Sequence, residues 1–159
     1  MSHLPGKNDV VEMLSMLVGQ DVTAAPGRPL TWEGRELMAI GTYRSEDGKL
    51  WAACALDLPC SAGLGAALTL VPPSQARALV QKKELTPLIE ENLHEIFNVA
   101  SSWFHVEELP HVILHKVVVF PKDFVGNVAN EIKGLKDRAA FELRLGDYGT
   151  GRIELLRAA

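Results

Sequence analysis

The chain has 159 residues, 47% of them hydrophobic and 23% charged, with a formal net charge of −4. That length holds about one domain with a core of its own, so no disulfide or metal staple is required and the composition is globular. Acids and bases are interspersed without a Lys/Arg run, which argues against nucleic acid as a partner, and apolar runs such as LWAACALDL and VVVF are too short to cross a bilayer.

In chain order, NDVVEMLSMLVG carries an Asn/Asp cap candidate, helical apolar spacing at Val10, Met13, Leu14 and Leu17, and a terminal Gly, which predicts a helix over about 8–19. A Pro- and Gly-rich loop follows. RELMAIGTYR and KLWAACALDL then read as two strands of a hairpin with Asp47 and Gly48 in its turn. GLGAALTLV is ambiguous by periodicity, and its short length before Pro72 and Pro73 favours a strand. PPSQARALVQ predicts a short helix with prolines in its first turn. A long helix over about 84–104 comes next, followed by the strand HVILHKVVVF and, after the illegible stretch 122–138, a hairpin in FELRLGDYGTGRIELLRA. The expected architecture is a single α+β domain spanning 1–159, two main helices on a largely antiparallel sheet. No secretory signal pattern opens the chain, and Cys54 and Cys60 make no disulfide framework, so a soluble cytoplasmic protein with reduced thiols and no membrane partner is expected.

The long helix, ELTPLIEENLHEIFNVASSWF, has an asparagine near its middle, a poor helix former that asks for a reason. Projected at about 100° per residue, Leu85, Ile89, Leu93, Ile96, Phe97, Ala100, Trp103 and Phe104 fall on the core side. Glu84, Glu91, Glu95, Asn98 and Ser102 fall on the opposite face. The pair Glu91 and Glu95 sets like charges at i,i+4, which costs the helix a few tenths of a kcal/mol, so a cause other than helix stability is open beside a plain solvated face. The first helix repeats the spacing as Asn8, Glu12, Ser15 and Gly19, which suggests a weak internal duplication about a pseudo-two-fold axis.

These residues resemble the motif of the CheC/CheX/FliY phosphatases of bacterial chemotaxis: Asp or Ser, three residues, Glu, two residues, Asn, then twenty-two residues and Pro. Here Glu95 and Asn98 are followed at that distance by Pro121. The element order fits along most of the chain, SAGLGAALTLVPPSQARALV included. The resemblance implies a CheC/CheX-like fold and, as substrate, the aspartyl phosphate of a CheY-type response-regulator receiver domain. Mg²⁺ would sit on that receiver, and this chain would bind no cofactor. Asn98 would orient the attacking water and Glu95 would pair with a receiver lysine, with Glu91, Ser102 and Pro121 bordering the contact.

The match departs from the family at Glu91, where Asp or Ser is usual, and at Ser102, where a small Gly is usual. Ser15 lacks the reach of a carboxamide, so the chain resembles the single-site CheX type, whose members imply a homodimer through sheet contacts. A non-catalytic module that docks a signalling or motor-switch partner through the 84–104 helix is the alternative. Other chemistry is weaker. His111 and His115, with Glu107 and Glu108 nearby, invite a metal site but read first as strand histidines. Cys60 has no identifiable base, GLG and GTG are too short for phosphate loops, and Trp32, Trp51 and Trp103 read as core or interface aromatics.

Overall fold

A computed structural model describes residues 4–30, 37–120, 123 and 126–158. The helices are α1 (Lys7–Val18), α2 (Leu58–Leu68), α3 (Pro73–Lys82), α4 (Pro87–Ala100) and α5 (Gly126–Lys133). The strands are β1 (Val22–Pro26), β2 (Met38–Ser45), β3 (Leu50–Asp57), β4 (Val112–Phe120), β5 (Asp137–Leu145) and β6 (Thr150–Arg157). All strand pairs are antiparallel, in one sheet of order β1-β5-β6-β3-β2-β4. The expected α+β class with helices on an antiparallel sheet is therefore observed.

Alternation along the strands sends side chains to two cores. On one face Tyr43, Cys54, Leu56, Ile153 and Leu155 meet α1, α2 and α4. On the other, Met38, Ile40, Ala53, Ala55 and Leu156 meet Ile132 of α5 and Leu135 just beyond it. Arg44 of β2 fixes α5 to the sheet through a two-pronged pair with Glu131, at 2.8 and 3.0 Å.

The strand order is its own reverse if β1, β2 and β3 are exchanged with β4, β5 and β6. Such a palindrome places a pseudo-two-fold axis between the central strands β3 and β6, and it relates α1, which precedes β1, to α4, which precedes β4. The duplication expected from the two helices thus has a counterpart in the topology.

Four expectations need correction. GLGAALTLV is not a strand, because residues 63–68 belong to α2. Cys60 through Ala67 are all buried, so no polar face betrays the helical period and a short apolar run reads equally well as a strand. Its start signal lies further back, where Asp57 accepts the Cys60 N–H at 2.9 Å and Pro59 sits in the first turn. The loop after α1 begins with the edge strand β1, hidden because it is short and ends in Pro26. The long helix is shorter than expected. Thr86 caps it by accepting the Ile89 N–H, Pro87 opens it, and after Ala100 it tightens into a 3₁₀ turn over Ser101–Phe104. Glu84 therefore precedes the helix and leaves the stripe, and the stretch 122–138 contains α5.

Candidate functional site

Hydrogen bonds and close packing fix α4 from its buried side. Asn92, in the middle of the helix, is buried and donates through Nδ2 to the Gly65 carbonyl and to Thr69 Oγ1, both at 2.8 Å. Gly65 lets the helices touch, since a Cβ there would stand 2.7 Å from Ile89 Cγ2. Gly41 does the same for the sheet, where a Cβ would stand 2.8 Å from the Phe97 ring. The tightening after Ala100 turns the Ser101 N–H to Asn98 and Val99, and the Tyr43 hydroxyl donates to the Phe97 carbonyl at 2.6 Å. Burial, reinforced by nearby Cys54, pushes the Tyr43 hydroxyl well above its ordinary pKa, so it remains a donor. Arg157, fully buried, donates to the Phe104 carbonyl and anchors the 3₁₀ turn.

The opposite face of α4 is open. Glu91, Glu95, Asn98 and Ser102 are all exposed. Among the described residues the side chains of Glu95 and Asn98 make no hydrogen bond or ion pair, whereas Ser102 Oγ donates back to the Val99 carbonyl at 3.2 Å. Neighbours at i,i+3 on a helix stand about 5–6 Å apart at Cβ, so Glu95 and Asn98 offer a carboxylate beside a carboxamide. The carboxamide can accept and donate at once, which suits it to hold a water by both its proton and its lone pair. Pro121 lies outside the described residues.

The related face of α1 is built differently. Ser15, the counterpart of Asn98, has its hydroxyl tied to β1: it accepts the Val22 N–H at 3.2 Å and donates to the Val22 carbonyl at 3.4 Å. That hydroxyl is spent on the fold. Between α1 and the end of α4 runs a groove of about 730 Å³, lined in part by Met13, Met16, Leu17, Val99, Ser102 and Trp103.

The other candidates do not assemble. Residues four apart on a strand are separated by about 13 Å, too far to share an ion, and the His111 ring instead stacks near His105, with centroids 4.5 Å apart. No group of three or more metal-ligating side chains gathers among the described residues. Burial pushes the Cys60 thiol well above its usual range, aided by Asp57, so it is poor material for a thiolate. Trp51 and Trp103 are core-packed as expected, Trp51 donating to Ser45 Oγ at 3.0 Å; Trp32 lies outside the described residues. Asn92 carried no prior expectation. The signal that could have found it was its spacing, three residues after Ile89 and four before Ile96, on the apolar side.

This sheet, with α1 and α4 as related helices on one face, is the architecture of the CheC/CheX-like chemotaxis proteins. Three solved structures share it across nearly the whole chain. FliY of Thermotoga maritima matches with TM-score 0.53 and 13% identity, over 94% of this chain and 82% of that one. The FliM middle domain of Vibrio alginolyticus matches at 0.53 and 10%, over 96% and 88%. CheX of Borrelia burgdorferi, solved as a complex with CheY, BeF3 and Mg²⁺, matches at 0.52 and 12%, over 96% and 95%. No protein-family model matches the chain, and no curated protein does. No helix among the described residues is long and apolar enough to cross a membrane.

Proposed function

We propose that residues 1–159 form one domain of the CheC/CheX/FliY family, cytoplasmic and acting as a phosphatase of a phosphorylated CheY-type receiver domain. The observation that carries the reading is the pairing of Glu95 and Asn98. Their side chains stand exposed and, among the described residues, without a hydrogen-bond or ion-pair partner, on a helix whose buried face is held by Asn92, Tyr43 and two close-approach glycines. A rigid support under an unspent polar pair is what catalysis by positioning requires.

In the reaction, the Asn98 carboxamide holds a water in line with the phosphorus of the receiver's aspartyl phosphate. The water oxygen bonds to phosphorus, the acyl-phosphate P–O bond breaks, and the electron pair returns to the aspartate carboxylate as inorganic phosphate leaves. Glu95 pairs with a receiver lysine and sets the register. The receiver supplies the Mg²⁺ for charge stabilisation, while this chain binds no cofactor and contributes position.

A second reading, a docking module without hydrolysis, is favoured by Glu91 and Ser102. The longer side chain of Glu91 stands where the resemblance implies Asp or Ser, and the bulk of Ser102 where it implies Gly. Inorganic phosphate release from receivers loaded with acetyl phosphate separates the two. Acceleration by the native protein that disappears in Asn98→Ala, with receiver binding retained, supports the phosphatase. Binding that depends on Glu95, without acceleration, supports the docking module.

A further inference from the structure

The groove between α1 and the end of α4 is not used by the chemistry above. Its floor and walls are apolar, from Met13, Leu17, Val99 and the ring of Trp103, and at its lip Met16 of α1 is 80% exposed. The polar rim is acidic, with Asp9 and Glu12, and among the described residues none of those that line it is a Lys, Arg or His. Trp103 is 8% exposed, and its indole N–H finds no acceptor among the described residues. On α4 the groove is continuous with the proposed site. Val99 lies one turn beyond Glu95, and Ser102, in the 3₁₀ turn that continues α4, follows Asn98 by four residues.

We infer that this groove is the affinity determinant for the receiver: it takes an apolar side chain of the receiver surface, flanked by a Lys or Arg that meets Asp9 and Glu12. The inference rests on the receiver being the partner of the α4 face and deepens that reading. Methionines suit the task, because their unbranched side chains adapt to a knob of variable shape. The acidic rim supplies orientation and speeds encounter with a basic-flanked patch. Affinity then comes from the groove and chemistry from Asn98, so the two can be lost separately.

The test uses the full chain with a CheY-type receiver carrying beryllofluoride and Mg²⁺ for binding, and the same receiver phosphorylated for turnover. Met16→Glu changes an exposed side chain, so folding is retained and checked by its melting temperature. It is expected to weaken receiver binding and raise KM by about tenfold, with kcat held, while Met16→Leu behaves as the native protein. Asn98→Ala is expected to do the reverse, losing kcat with binding kept. If the native protein binds receivers without releasing phosphate and Met16→Glu still weakens binding, the groove inference stands and the phosphatase reading fails. Native-level binding by Met16→Glu overturns the inference, as does a receiver that never binds. A Met16→Glu variant whose only change is conversion of a dimer to a monomer also overturns it, assigning the groove to a second copy of this chain.

Discussion

Replacing each of the two asparagines of α4 by alanine should have opposite consequences. Asn92→Ala removes two 2.8 Å hydrogen bonds in a buried position and leaves the Gly65 carbonyl and Thr69 hydroxyl without that donor. Each lost bond is worth about 1 kcal/mol, and stranding a buried acceptor adds to it, for about 2–3 kcal/mol in all. Alanine recovers a few tenths through its better helix propensity. In a chain of this length the net loss lowers the melting temperature by about 5–8 °C. Asn98→Ala breaks no side-chain hydrogen bond or ion pair among the described residues, gains the same propensity, and should fall within about 0.5 kcal/mol of the native protein. Urea unfolding followed by circular dichroism, with unchanged m-values, measures both. An Asn92→Ala variant within 0.5 kcal/mol of native, or an Asn98→Ala variant losing more than 2 kcal/mol, would refute the division of α4 into a supporting and a presenting face.

Gly41→Val drives a branched side chain into the Phe97 ring, whose atoms stand 2.8 Å from where a Cβ would be; a loss of about 2–3 kcal/mol is expected by the same unfolding assay. Its effect on receiver binding should exceed that of exposed substitutions on α5, since α4 must shift outward. The Arg44 guanidinium holds the Glu131 carboxyl below its ordinary pKa, chiefly by hydrogen bonding. The stability this supplies is present above the unfolded value of about 4.5 and is lost as pH falls through the folded one. Glu131 is partly exposed, so Glu131→Gln should cost only about 0.5 kcal/mol at pH 7, and native and variant stabilities should converge on acidification. A difference that persists unchanged at pH 3 would refute the pairing.

The sequence made the amphipathic elements legible and hid the elements that lack a polar face. α1 and α4 announced themselves by period, and the β2–β3 turn by Asp47 and Gly48, whose φ of 88° suits glycine. α2 did not, because burial on every side erases the contrast on which a helical period depends. β1 was lost because an edge strand of five residues ending in proline resembles a loop. The exposed stripe of Glu91, Glu95, Asn98 and Ser102 was readable because outward residues follow from the same projection as the core. Asn92 was missed for the complementary reason. A polar residue on the apolar face looks like a blemish until its acceptors in α2 and at its C-terminal end, distant in sequence by 27 and 23 residues, are brought to it by the fold. The groove was likewise beyond reach, since it exists only where α1 and the 3₁₀ turn after α4 meet.

If Asn98 acts on a receiver's aspartyl phosphate as proposed, single-turnover decay of a receiver labelled at that phosphate, in excess of this protein, will reveal it. Decay should be faster than that of the receiver alone, the acceleration abolished in Asn98→Ala and retained in Asn92→Asp variants that still fold. Decay equal to the receiver's own, at protein concentrations where binding is saturated, would contradict it.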